Sequence, residues 1–469
     1  MHRAGLPERA AQPPRLSLFP DAPVAHGAAV IARAFPVCRL MRVADGHAKG
    51  AAMSHSSSEP RRDLSEKRRP VVLQVLPSMQ TGGVERGTVE MARAIVEAGG
   101  IALVASAGGR LVPLLERAGA THVTLGLMTK DPLSIWLNAG RLARLIRRHG
   151  VDLVHARSRA PAWSAKWAAR RTGTPFLTTW HGVYSENFPL KRRYNAVMAA
   201  GDRVIAISRF VAERVSQRYG VGADRLRIIP RGADTAAFDP MTVRGDRMHV
   251  LARQWQLPDG AAVIMLPGRV TAWKGHALLL EALSLLHAND PALDWVCVMV
   301  GPSKDGKRSF GRQLVNQAKS LGLHGRLRFA GTCADMPAAL ALADVVVVPS
   351  LKPEPFGRSV VEAQAMGKLV LAAAHGAALE TVEPGITGYA FPPGDARALA
   401  AMLAQVLGLA PEDRERIGVR AREQVLSHYT MQAMQRATLA VYAELLRQPF
   451  PNSLAAASAS EPNGLRDAD

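Results

Sequence analysis

The stretch "SLKPEPFGRSVVEAQAMGKLVLAA", residues 350–373, places two glutamates on either side of an aromatic–glycine turn. Glu354 lies in a loop between Pro353 and Pro355, whereas Glu362 falls in an apolar pattern of helical spacing, and Phe356-Gly357 sits between them. Carboxylates are good acceptors for hydroxyl groups and poor partners for phosphate. The N-terminus of a helix opening near Gly357 is the reverse, a place for an anion. Together they suit a ligand that carries both hydroxyls and phosphate. A capped surface helix would account for the same residues without any ligand.

Three other stretches have residue types that could act with these glutamates. In "MLPGRVTAWKGHALLLEAL", Gly268 allows a turn, and Arg269 and Lys274 stand in the loop and the start of the next helix. A guanidinium fork and an ammonium point charge there would bracket a diphosphate; solvated loop charges are the alternative. In "LPSMQTGGVERGTVEMARAI", Gly82-Gly83 permits close backbone approach before a helix N-terminus. The pattern is not G-x-G-x-x-G, so hydride chemistry loses support, and a plain tight turn stays open. His181, in "TTWHGVYSE", follows a strand, a position that structural histidines also occupy.

The elements that must hold these loops form a regular series. "VVLQVL", "IALVAS", "THVTL", "VDLVHA", "PFLTTW", "RVIAIS" and "LRIIP" read as short buried strands separated by amphipathic helices. The rhythm pauses in "DTAAFDPMTVRGDR" and resumes with "AVIMLPG", "DWVCVMVG", "RLRFAG", "DVVVVPS" and "LVLAA". That is α/β, with two Rossmann-like doubly wound parallel-sheet domains facing a cleft, and ligands expected beyond the carboxyl ends of the strands. The expected organisation is a disordered leader over 1–66, a first domain over 67–235, a second over 236–430, a C-terminal helix over 431–448 crossing back to the first domain, and a flexible tail over 449–469. Met53 in "MSHSSSEPRR" offers a later start.

Composition narrows the class. The chain has 469 residues, 48% of them hydrophobic, enough for two sizeable cores. No apolar run reaches the length of a membrane span, and there is no signal-peptide pattern. Three scattered cysteines, Cys38, Cys297 and Cys333, suggest neither a disulfide framework nor a metal site and fit a reducing cytoplasm. The net charge is +20. Arg141, Arg144 and Arg148 recur at helical spacing, followed by Lys166, Arg170 and Arg171, then Lys191, Arg192 and Arg193. Each cluster alone is a solvated face; three in one half of the chain favour docking to an anionic surface. Aromatic residues total 5%, so base-stacking platforms are missing and nucleic acid is not the expected partner.

Taken in order, "TGGVERG", "GRVTAWKG" and "EPFGRSVVE", with its E-x7-E spacing, resemble family 4 of the retaining glycosyltransferases, which has the GT-B fold. "SRFVAERV" and "IIPRGADTAAFDP" match that family's serine-led helix and "IPNGVD"-like linker, with Arg231 in place of the usual asparagine. The resemblance spans roughly residues 70–446. It implies that Arg269 and Lys274 bind the donor diphosphate, that Glu362 holds the donor ribose, and that Glu354 contacts the donor sugar. By the same resemblance Gly82 and Gly83 belong to the donor site, Phe356 and Gly357 position sugar and phosphate through their backbone, and His181 stands near the reacting sugar.

The function expected on this basis is retaining transfer of a hexosyl group from a nucleoside-diphosphate sugar to a lipid-linked or lipopolysaccharide-type glycan. UDP- or GDP-sugar is the substrate, and no cofactor is expected. No DxD metal site is apparent, so helix N-termini with Arg269 and Lys274 are expected to supply the positive field in place of a metal. A cytoplasmic location on the inner membrane face follows from the anionic partner. Two rivals share part of the pattern: a GT-B sugar-nucleotide epimerase, and a basic membrane- or nucleic-acid-binding protein without catalysis. The first lacks a second carboxylate cluster for elimination chemistry, and the second leaves the glutamate motif idle.

Overall fold

The computed structural model describes residues 68–303 and 308–452. The expected leader and the part of the expected tail beyond residue 452 lie outside the described residues. The first domain is a seven-stranded parallel sheet: β1 (Val71–Val75), β2 (Ile101–Ser106), β3 (Thr121–Thr124), β4 (Leu153–Ala156), β5 (Phe176–Trp180), β6 (Arg203–Ala206) and β7 (Leu226–Ile228). Helices α1 (Gly83–Glu97), α2 (Val112–Arg117), α3 (Pro132–His149), α4 (Arg159–Thr172), α5 (Pro189–Asn195) and α6 (Arg209–Tyr219) connect them. The central strands β1, β4 and β5 are buried at every position, so their sequences show no apolar–polar alternation, and their few polar residues, Gln74, His155, Thr178 and Thr179, are buried and hydrogen-bonded.

After α7 (Gly245–Gln254) the second domain repeats the theme in six parallel strands: β8 (Ala262–Pro267), β9 (Trp295–Val300), β10 (Leu327–Gly331), β11 (Val345–Val348), β12 (Leu369–Ala373) and β13 (Tyr389–Phe391). Its helices are α8 (His276–Asn289), α9 (Arg308–Ser320), α10 (Met336–Ala341), α11 (Arg358–Ala365), α12 (Ala378–Thr381), α13 (Ala396–Leu407) and α14 (Pro411–His428). Two elements here were not legible in the sequence. The segment read as an irregular linker contains α7, and the three-residue strand β13 is too short to show a period.

Both sheets reverse their strand order once. The first runs β3-β2-β1-β4-β5-β6-β7, turning between β1 and β4, and the second runs β10-β9-β8-β11-β12-β13, turning between β8 and β11. Such a switch point opens a crevice at the carboxyl ends of the two flanking strands. Gly82-Gly83 follows β1, Arg269 and Lys274 follow β8, and Glu354 follows β11, so these loops stand at the switch points.

The chain crosses between domains twice, and the crossings are bonded to each other. Ala233 N–H donates to Tyr429 O at 2.8 Å, and Met431 N–H donates to Ala233 O at 2.8 Å. A Cβ at Gly232 would lie 2.2 Å from the Thr430 carbonyl, so this contact needs glycine. After the second crossing, α15 (Met431–Leu446) packs on the first domain. Its buried Tyr442 hydroxyl bonds His155 Nδ1 at 2.7 Å, and Glu444 pairs with Arg203 and Arg227. The tail expected from residue 449 starts packed: Phe450 is buried beside Tyr442, and Asn452 N–H donates to Ala98 O at 3.1 Å. Among the described residues no helix is long and apolar enough to cross a membrane.

Candidate active site

Glu354 is fixed from three sides. Lys274 Nζ donates to its Oε1 at 2.5 Å, and Ser350 Oγ–H donates to the same oxygen at 2.5 Å. Its backbone carbonyl accepts Ala377 N–H at 2.9 Å, with Gly376 pressed against it at a φ of 62°. A Cβ on Gly376 would sit 2.6 Å from that carbonyl, so no other residue fits there without displacing the loop. Gly275, at a φ of 76°, brings the Lys274 turn against β11, and a Cβ there would lie 1.8 Å from Pro349 O. The Lys274–Glu354 pair therefore joins the two loops that flank the switch point. Lys274 also lies over the Trp273 ring, 4.7 Å from its centroid.

Arg269, one residue past Gly268, is exposed, and its guanidinium has no side-chain partner among the described residues. That leaves its donors open to a ligand. Gly357 adopts the left-handed conformation, φ 81°, and caps the N-terminus of α11. Phe356 is buried edge-on to Tyr429, with ring centroids 5.9 Å apart, so its side chain serves the core and only its backbone faces the loop.

Glu362 stands one turn into α11 in a charged network that spans both domains. Arg358 Nε donates to Glu362 Oε1 at 3.2 Å, and Arg358 Nη1 reaches Glu90 Oε1 of α1 at 3.4 Å. Arg231, from the first crossing, lies 3.9 Å from Glu90 Oε2 and donates to Gly83 O at 2.5 Å. Gly87 lacks the side chain that would collide with this guanidinium, for a Cβ would come 2.4 Å from Nη2. Burial pushes the Glu362 carboxyl above its usual range, and Arg358 and Arg86 oppose that shift. Burial also lowers Arg231 to about 9; Glu90 works against this, while Arg358 and Arg157 add to it.

His181 follows β5, with its Nε2 shielded from solvent and without a partner among the described residues. Burial, then the charges of Arg157 and Arg231, hold its imidazole well below the ordinary range, so it is neutral near pH 7. Arg157, at the end of β4, is 3% exposed; Nη1 donates to Gln74 Oε1 at 3.1 Å while its Nε has no partner. The site thus holds buried positive charge beyond what Glu90 and Glu362 balance, as a site for an anionic ligand requires.

The loop after β11 is also pinned from the opposite domain. Ser208 caps α6 by accepting Val211 N–H at 3.1 Å, and its hydroxyl donates to Pro355 O at 2.7 Å. Glu380 of α12 accepts Arg209 N–H at 2.9 Å and Phe210 N–H at 2.7 Å, capping the same helix across the domain boundary. The structure therefore brings Lys274 and Glu354 into contact, gathers Gly83 and Glu362 into one charged network, and leaves Arg269 free. Sequence reasoning missed Glu90, Arg157, Arg358 and Glu380. Only Arg358, four residues before Glu362, left a local signal.

Two parallel-sheet domains with charged loops at their switch points are the architecture of the GT-B fold. Residues 81–237 match the family model described as Glycosyltransferase Family 4, and residues 250–424 match Glycosyl transferases group 1. A D-inositol 3-phosphate glycosyltransferase of Salinispora tropica is 32% identical over 367 residues, covering 70% of this chain and 74% of that protein. A protein of the same description from Catenulispora acidiphila is 31% identical over 341 residues, 66% of this chain and 80% of its own length. Among solved structures, a glycosyltransferase from Rickettsia africae superposes with a TM-score of 0.75 at 34% identity, covering 81% of this chain and 100% of that one. Anabaena HepE, solved with UDP-glucose, gives 0.69 at 25% identity, covering 80% and 99%. The chain belongs to glycosyltransferase family 4.

Proposed function

We propose that the protein transfers a hexosyl group from a nucleoside-diphosphate sugar, with retention at the anomeric carbon and without a metal ion, to a phosphate-bearing acceptor held against the first domain. The observation that carries this reading is the Lys274–Glu354 pair, which joins the β8 and β11 loops beside the free Arg269. Arg269, Lys274 and the N-terminus of α11 at Gly357 surround the diphosphate, and Glu362 holds the ribose. Glu354, its Oε1 already bonded, uses its second oxygen for the transferred sugar. Gly82 and Gly83 form the opposite wall, and the backbone of Phe356 lines the loop. The HepE complex with UDP-glucose supports a UDP-sugar as donor.

In the step proposed, the acceptor oxygen bonds to the anomeric carbon as the bond from that carbon to the diphosphate breaks. The diphosphate leaves with the electron pair and takes up the acceptor's hydroxyl proton on the same face. Neutral His181 hydrogen-bonds the transferring sugar, and the fixed cations stabilise the charge that develops on the leaving phosphate. An anionic acceptor suits both the buried arginines and the relatives named for inositol 3-phosphate. A lipid-linked or lipopolysaccharide-type glycan at the inner membrane face suits the basic clusters of α3, α4 and α5. NMR of the product from an α-linked UDP-sugar, in buffer containing EDTA, tests the chemistry. An α-linked product supports the reading; a β-linked product, or turnover abolished by EDTA and restored by a divalent cation, contradicts it.

A further inference from the structure

We propose that the acceptor site is a groove between the loop after β5 and the loop before Glu354, and that it takes a lipid-linked phosphate. The inference rests on the glycosyltransferase reading above and names its second substrate. A cavity of about 650 Å³ is bordered by Val183 and Tyr184 on one side, by Phe210, Arg214 and Arg218 of α6, and by Lys352 and Pro353 opposite. Val183 is two residues from His181, Lys352 is two residues from Glu354, and Gly182 stands against Pro355, so the groove opens beside the loops that carry both. A second cavity of about 950 Å³ shares Glu186, Asn187 and Arg218 with the first and continues past Phe188, Arg192 and Arg193.

The charge in this groove is unbalanced. Its acid, Glu186, is occupied by Arg218 at 2.7 Å and by the Tyr219 hydroxyl at 2.5 Å. Arg193, Arg214 and Lys352 have no ion-pair partner among the described residues. Arg214 and Lys352 border the first cavity and Arg193 the second, so a phosphate in this groove meets unpaired cations that a neutral glycan leaves to solvent. The far end explains why that phosphate is attached to a lipid. Phe188, just before the short basic helix that holds Lys191, Arg192 and Arg193, is 53% exposed, and Leu190 in its first turn is 70% exposed. Exposed aromatic and aliphatic side chains beside lysine and arginine suit the headgroup boundary of an anionic bilayer. A soluble sugar or cyclitol phosphate would use the cations and leave Phe188 and Leu190 idle.

The test is titration of the full chain with farnesyl phosphate in detergent micelles, farnesol in the same micelles, and D-myo-inositol 3-phosphate in solution, with UDP binding measured in parallel. Saturable binding of farnesyl phosphate, at least tenfold tighter than either control, is expected. The double variant R214Q/K352Q and, separately, F188S/L190S should each weaken it at least tenfold while UDP affinity stays at the wild-type value. Inositol phosphate binding as tightly as farnesyl phosphate, or farnesyl phosphate affinity unchanged in both variants, overturns the groove proposal. Failure of the wild-type protein to bind UDP sinks the donor-side reading instead, so the two failures are distinguishable.

Discussion

Replacement of Lys274 by methionine removes the ammonium while retaining most of the side chain's apolar volume. Lys274 and Glu354 are 14% and 8% exposed and their charged atoms are 2.5 Å apart. At an effective dielectric of about 20 their attraction is roughly 7 kcal/mol before desolvation is subtracted. Breaking such a pair from one side costs about 3–5 kcal/mol, because the remaining charge is stranded. Ser350 still donates to Glu354, which puts the expected loss of folding stability near the lower end, about 3 kcal/mol. Adding Glu354→Gln should recover most of that stability, since no buried charge is then left unpaired. Transfer responds differently. Loss of one fixed donor to the leaving diphosphate should cost roughly 2–4 kcal/mol, about 30- to 700-fold in kcat/KM, in the single variant, with no recovery in the double. Urea denaturation and UDP release from a UDP-sugar measure the two quantities on the same preparations. If Lys274→Met remains folded and retains kcat/KM within about threefold of wild type, Lys274 does not bind the leaving diphosphate.

The remaining predictions use other parts of the site. His181→Ala should lower kcat while leaving UDP affinity near wild type, as measured by kinetics beside calorimetry; equal losses in both would make the histidine structural. Ser208→Ala should cost about 1 kcal/mol of stability as a lost helix cap and, by releasing the Pro355 carbonyl, raise the donor KM several-fold. An unchanged donor KM would confine Ser208 to capping. Burial holds His155 well below the usual histidine range and His276 at about 4, so each is neutral when folded and protonates on unfolding. Their stability contribution is fully present above about pH 6.5 and is lost as pH falls from there through the folded pKa, at up to about 1.4 kcal/mol per pH unit for each. Denaturation midpoints from pH 7.5 to 5 should fall accordingly, and His155→Gln should flatten that slope; an unchanged slope would refute the assignment.

The fold was legible because a parallel sheet covered on both faces is written in mostly apolar strands without alternation, and β11 and β12 are apolar throughout. β13 escaped because three residues cannot show a period, and α7 because Pro240, Gly245 and nearby acids look like a turn. The loops after β1, β8 and β11 were legible because glycine, cation and carboxylate fall at strand ends. What binds those loops together was not. Glu90 lies far from Arg358 in the chain, and Glu380 far from Arg209, so neither contact leaves a local pattern. Arg231, an unusual residue for the "IPNGVD"-like linker, gains its explanation only from the missing side chain of Gly87 and the carbonyl of Gly83. The two glutamates of "KPEPFGRSVVE" also separate in the structure: Glu354 belongs to a pair within the second domain, and Glu362 to a network reaching the first.

Calorimetric titration of UDP into the wild-type protein and into Arg269→Ala, in buffer containing EDTA, measures whether Arg269 holds a nucleoside diphosphate without a metal. Arg269 has no side-chain partner to lose, so this variant should fold normally. Saturable one-to-one binding by wild type and at least tenfold weaker binding by Arg269→Ala are expected. UDP binding of equal strength in both, or none in the wild type, would contradict it.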